Sequence, residues 1–171
     1  MRRLSLTARA AHDAASSDEV EVVLVRISHP DLEEPLRLSS DPTERISIDP
    51  LAYGTRSNWG GAPAIHWFVL ASTLLPDDVD DAPAAATIVL EAVDRDMAAI
   101  LRSTTRRATV DMAVVLAATP DVIEAEWTGL DLVAAEGDAG EIRLSISRDP
   151  ITSEPWPARR MTRQVMPGLH R

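Results

Sequence analysis

Histidines come first in any search for chemistry in this chain, because imidazole titrates near neutral pH and serves as base, acid or metal ligand. There are four: His12, His29, His66 and His170. His12 falls on a helical pattern, His29 in a turn and His170 beside the C-terminus. Only His66 lies in an apolar run, Ile65-His-Trp-Phe-Val-Leu70, where packing or a hydrogen bond is its expected role. No H-E-x-x-H, G-x-S-x-G or P-loop spacing occurs. A histidine-assisted nucleophile would need partners that converge only in space, and it stays a minor alternative. The chain has no cysteine, which removes disulfides, thiolate catalysis and Cys-ligated zinc or iron–sulfur sites. The reading therefore assigns no catalytic residue, no metal and no cofactor, and it expects no enzyme.

Carboxylates offer the next possibility. Asp77, Asp78, Asp80 and Asp81 form a dense acidic run around Val79. Such density suits hard cations such as calcium or magnesium, but the glycine and distal glutamate of a helix–loop–helix calcium site are missing. The first expectation is an exposed acidic turn, with a basic protein partner and then a metal as alternatives. Glu124 and Glu126, just before Trp127, have the residue types of an acid/base pair, but on a strand a spacing of two puts both on one solvent-facing side. They are read as surface residues. Trp59 and Trp156 sit in predicted loops beside Gly or Pro, where a tryptophan either anchors a protein contact or folds back onto its own domain. Arg159, Arg160 and Arg163 follow Trp156 as the one basic cluster in an acidic chain. An acidic loop of one subunit meeting the basic tail of the next would suit ring packing. A disordered tail is the competing reading. Trp59, the four aspartates, Trp156 and the three arginines are thus the candidate subunit or partner contacts.

The elements that must position these residues follow from periodicity. The 171 residues fit one domain with a real core, at 45% hydrophobic content. A formal charge of −10 argues against nucleic acid, and no apolar run approaches the length of a membrane span. The first residues lack the apolar core of a signal peptide, so the chain is expected to be made in the cytoplasm. Leu4 to Ser16 carries Leu6, Ala10, Ala11 and Ala14 at helical spacing. Strands are expected at Val20–Ile27, Pro35–Ser39, Arg45–Ile48, Ile65–Leu70, Ala86–Val93, Thr109–Ala117 and Glu141–Ser147. Val122–Glu126 and Thr128–Ala134 read as one bent strand or two, after a turn at Thr119-Pro-Asp121. A short helix is expected near 94–102, and a long loop over 49–63. The chain thus divides into an N-terminal helix or arm (1–17), a β-rich domain (18–148) and a Pro/Arg-rich extension (149–171). The expected class is mainly β, a β-sandwich or open β-barrel with one or two short helices.

Several short segments, in this order, carry a resemblance. They are Val22–Ile27, Glu34-Pro-Leu-Arg37, Leu75-Pro-Asp-Asp78 leading into Ala86–Arg95, Ala108–Thr119, Glu154-Pro-Trp-Pro157 and Met166-Pro-Gly-Leu169. From about Val20 to Leu169 the chain resembles a family of phage tail-module proteins, and its layout is similar to the N-terminal domain of lambda-like minor tail protein L. The chain departs from the family at Asn58-Trp-Gly-Gly-Ala-Pro63. It also lacks the cysteines that hold an iron–sulfur cluster in lambda-like hub proteins, so no cluster is carried over. The resemblance implies a structural component of a siphophage tail tip, as hub or distal-tail ring, joining the tail tube to the central hub or fibre proteins. Implied partners are further copies in a trimeric or hexameric ring, the tail tube and other tail-tip proteins, with neither nucleic acid nor membrane. The implied location is the virion. Two alternatives remain: a tail assembly factor absent from the mature particle, and a small hydrolase or carbohydrate-binding module.

Overall fold

The structure, a computed structural model, describes residues 4–76, 85–91, 107–137 and 141–148. One helix, α1 (Leu6–Asp13), precedes ten strands: β1 (Glu21–Ser28), β2 (Leu36–Ser39), β3 (Glu44–Ile48), β4 (Leu51–Ser57), β5 (Ala64–Phe68), β6 (Ala71–Leu74), β7 (Ala85–Glu91), β8 (Thr109–Leu116), β9 (Thr119–Gly137) and β10 (Glu141–Ser147). The fold is mainly β with a single short helix among the described residues, as the strand-dense sequence leads one to expect. The helix expected near 94–102, the acidic run at 77–81 and the extension from 149 lie outside the described residues.

All ten strands belong to one mixed sheet in the order β3-β4-β5-β2-β1-β8-β9-β10-β7-β6. Neighbours pair antiparallel except β2 with β5, which run parallel through Leu38↔Trp67 and Ser39↔Phe68. Only Val69 and Leu70 separate β5 from β6, although these strands lie far apart in the sheet order. The Val69 N–H bonds the Ser39 carbonyl of β2 at 3.0 Å, while the Leu70 carbonyl accepts from Glu91 of β7 at 2.8 Å. One stretch of chain therefore stitches both arms together, and the open sheet curls around its own interior.

That interior holds the larger core. Val25 and Ile27 of β1, Ile88 and Leu90 of β7, Val110 and Met112 of β8, and Ile142, Leu144 and Ile146 of β10 meet there. Strand alternation sends Val22 and Leu24 to the outer face, where Ala113 and Val115 of β8 join them in a second cluster. Because β1 and β8 are buried on both sides, they read in sequence as nearly continuous apolar runs. Each fully buried Leu or Val contributes about 2 kcal/mol of transfer free energy.

Two expectations need correction. The segment 49–63 is no free loop, since β4 occupies Leu51–Ser57 and pairs with β3 on one side and β5 on the other. Gly54, which reads as a loop residue, is required by the sheet itself. A Cβ there would stand 2.1 Å from the His66 carbonyl oxygen, so only glycine allows β4 to approach β5 this closely. The turn after β8 is Ala117-Ala118 and not Thr119-Pro-Asp121, because Thr119 already pairs with Leu116. The residues from Thr119 to Gly137 then form one 19-residue strand, broken in register at several places and bent at Gly129, whose φ is +66°.

Candidate functional site

Among the described residues, two constellations of polar side chains border the β1–β8–β9 region, one on each face. The first is built on Trp59. The turn between β4 and β5 folds over the outer face of the sheet and is clamped there by the start of β9. Ser57 Oγ donates to the Pro120 carbonyl at 2.7 Å, and the Asn58 N–H donates to Asp121 Oδ1 at 2.7 Å. The Trp59 N–H in turn donates to Ser57 Oγ at 3.1 Å. This geometry drives the indole inward, leaving Trp59 only 5% exposed against Val22, Leu24, Ala113 and Val115. Of the two roles open to a loop tryptophan, this ring takes packing onto its own domain. Trp156, Arg159, Arg160, Arg163 and the four aspartates at 77, 78, 80 and 81 lie outside the described residues.

Polar groups ring the buried indole. Trp59 Nε1 donates to Glu126 Oε1 at 2.8 Å. The Arg26 guanidinium lies over the ring, with Cζ 5.3 Å from its centroid, in cation–π geometry. Arg26 Nε and Nη2 both donate to Asp111 Oδ2, at 3.1 and 2.7 Å, and Asp111 Oδ1 accepts the Gly129 N–H at 2.8 Å. Gly60 makes room for this stack: its φ is +92°, and a Cβ would come within 2.4 Å of Arg26 Nη1. His66 completes the cluster, its ring centroid 5.8 Å from that of Trp59.

His66 is fully buried, and neither ring nitrogen makes a hydrogen bond of good geometry, with only the nearby backbone of Thr55 and Ala64 to interact with them. Burial disfavours its charged form most, with the positive charges of Arg37 and Arg26 adding to the effect. The backbone at Thr55 and Ala64 only partly opposes them, and the pKa is lowered from 6.5 to about 4. The imidazole is therefore neutral at pH 7, and with no accessible surface it has no route to a substrate. This matches the packing role expected for His66. His29 is likewise buried in its turn, where Nδ1 accepts the Asp31 N–H at 3.1 Å. The outer-face cluster can lock the β4–β5 turn onto the sheet; it offers no nucleophile and base pair.

The second constellation lies on the inner face, under α1. Ser5 caps the helix by accepting the Ala8 N–H on Oγ at 3.1 Å. The helix is shorter than its sequence pattern, and the small Ala8, not Leu6, is its buried residue; Leu6 is 84% exposed. Two polar tethers explain this docking. The Ser5 N–H donates to Glu124 Oε2 at 2.6 Å, and His12 Nε2 meets Glu21 Oε1 at 2.9 Å. Between helix and sheet lies a groove of about 350 Å³, bordered by Arg9 and Asp13 of the helix and by Glu124 and Trp127 of β9.

Here the surface assignment of Glu124 and Glu126 fails. Glu124 is 2% exposed, Glu126 is half-buried, and the two serve opposite faces. Strict alternation would place them together. However, Val114 pairs with Ala125 and Val115 with Ile123, which leaves Glu124 as the extra residue of a bulge. The bulge re-aims Glu124 toward the groove while Glu126 keeps its register with Ala113 and reaches Trp59. Sequence periodicity carries no signal for a bulge, so this inward carboxylate was not legible. Glu124 Oε1 is buried without a hydrogen-bond donor. Among the described residues, no three His, Asp or Glu side chains are grouped so as to hold a metal ion.

No protein-family model matches the chain, and no curated protein matches it.

Proposed function

We propose that this chain is a structural component of a siphophage tail tip, a hub or distal-tail ring protein that joins the tail tube to the central hub or fibre proteins. The reading rests on the resemblance in segment order, and one structural observation supports it. Both ends of the curled sheet carry outward-facing apolar side chains. At the β3 end Ile48 and Leu51 are 75% and 62% exposed, facing each other across the hairpin. At the β6 end Leu74, the last residue of the strand, is 71% exposed, and Leu70, just before the strand, is exposed too. Edge strands with free N–H and C=O groups are templates for pairing, and natural monomers blunt them with charge, proline or cover. Apolar residues at such edges suit a subunit that completes its sheet or buries its edges against neighbours in an assembly. A curled sheet whose outer-face polar groups are engaged with one another around a buried indole suits load transfer better than chemistry.

In this reading the partners are further copies of the chain in a three- or six-fold ring and the adjoining tail proteins, and the location is the virion. A tail assembly factor, left out of the finished particle, would use the same edges transiently. The solution mass of the purified full chain tests the ring directly. Discrete trimers or hexamers are expected; a strictly monomeric protein at high concentration would count against a ring and favour the assembly factor.

A further inference from the structure

We propose that the split between β2 and β5 binds an acidic sugar, with Arg37 receiving its carboxylate and Trp67 its ring face. The site does not draw on the exposed apolar residues of the sheet edges, so it stands or falls independently of the assembly reading. β2 and β5 run parallel and pair at two positions, Leu38↔Trp67 and Ser39↔Phe68. Ahead of those positions each strand keeps its other neighbour: Leu36 still pairs with Ile27 of β1, and Ala64 with Ser57 of β4. Across the split, Leu36 and Ile65 have no pairing with each other's strand. A parallel ladder bonds evenly along its length, so here it stops while both strands continue. A cavity of about 620 Å³ opens at this place, lined by Glu34, Arg37, Arg56, Pro63, Ile65 and Trp67 among others.

The lining selects the ligand. Arg37 is half-buried and makes no hydrogen bond or ion pair with the described residues. Its charge is left uncancelled, and it adds to the effects that keep His66 neutral. A guanidinium partly withdrawn from water favours a carboxylate that accepts two of its N–H groups at once. Arg56 is already paired with Glu44, and its side chain is 56% exposed. Glu34, exposed at the mouth, sets one carboxylate against these two guanidiniums. The lining thus takes a single negative charge, and a second one would meet Glu34 as a like charge. Glu34 itself calls for hydroxyl donors. Trp67, 42% exposed, and the half-buried Ile65 add apolar surface. The C–H face of a pyranose ring covers such a surface while its hydroxyls reach polar groups at the rim. A hexuronate combines all three features: one carboxylate, an apolar ring face and hydroxyl donors. The volume, about 620 Å³, suits one or two rings. Such a group arrives either as a free sugar or as a residue of an oligosaccharide.

The test is an NMR titration of the full chain, following the backbone amides of Ala64 and Ile65 at constant ionic strength. The probes are glucuronate and the disaccharide glucuronosyl-glucose. Cellobiose, which lacks the carboxylate, and acetate, which lacks the ring, are the controls. A saturable shift with at least one uronate is expected, with either control binding at least about tenfold more weakly. Arg37→Met keeps the apolar stem and removes the charge, and it should weaken uronate binding at least about tenfold. Trp67→Leu, at an exposed position, should weaken it severalfold, and it decides the matter if Arg37→Met does not fold. Tighter binding of the disaccharide identifies an oligosaccharide as the occupant, and equal or tighter binding of glucuronate identifies a free sugar. No saturable shift with either uronate, a control that binds as tightly as the uronates, or binding undiminished in the folded variants overturns the proposal.

Discussion

Acidification should strip stability from this protein through His66, and the structure sets the size of the effect. The imidazole is neutral and fully buried, with its pKa lowered from 6.5 to about 4 by burial first and by Arg37 and Arg26 after it. In the unfolded chain it takes up a proton below about pH 6.5. The native state then binds fewer protons than the unfolded state, so stability falls as the pH drops from 6.5 and levels off below 4. At about 1.36 kcal/mol per pKa unit the full loss is about 3 kcal/mol, most of it reached by pH 5. In urea that corresponds to a midpoint lowered by about 1 M for a chain of this size. The rest of the molecule also responds to acid, because a net charge of −10 repels itself less as carboxylates protonate. The assay therefore compares urea midpoints of the wild type and His66→Phe at several pH values between 7.5 and 4.5. Phenylalanine keeps a flat ring beside Trp59 and removes the titration. The wild type should lose ~2 kcal/mol more than the variant between pH 7.5 and 5. Parallel curves for the two proteins would refute the reasoning.

Other substitutions probe the same architecture by chemical denaturation. Trp59→Ala empties the outer-face cluster and removes both the indole donor and the cation–π partner of Arg26, at an expected cost of ~3–5 kcal/mol. Trp59→Phe keeps most of the buried ring and loses the bond to Glu126, costing ~1–2 kcal/mol. Equal effects from the two would show that the buried ring contributes nothing beyond its N–H. Gly54→Ala drives a methyl into the His66 carbonyl and should cost ~2 kcal/mol, with amide protection lost first in β4 and β5. Asp111→Ala leaves Arg26 and the Gly129 N–H without their acceptor, in a pair whose side chains are 28% and 11% exposed; ~2–3 kcal/mol is expected, below the cost of a fully buried pair.

Much of the β architecture was legible from period-two patterning. β1 and β8 stand out by their density of β-branched residues, β10 by its clean alternation, and the N-terminal helix by the spacing of Leu6, Ala10 and Ala14. The failures share a physical cause: information that lies in pairing rather than in local sequence. β4 carries Gly54 and Arg56 among few apolar residues, so its composition reads as loop, yet its glycine answers to a backbone atom of another strand. The parallel meeting of β2 and β5, and the continuation of β5 into β6 across the curl, depend on residues distant in sequence. Glu124 was placed on the surface by alternation and buried by a bulge that alternation does not encode. Trp59 reads in sequence as a candidate subunit or partner contact, with packing onto its own domain as the alternative; the turn's clamp onto β9 buries it on its own domain.

The central claim is a place in a phage tail, and cryo-electron microscopy of intact particles carrying this chain tests it most directly. The account predicts density for the curled ten-stranded domain at the distal end of the tail tube, repeated three- or six-fold, with the β3 and β6 edges covered by neighbouring subunits. Particles with a complete tail tip and no density for this domain would contradict it.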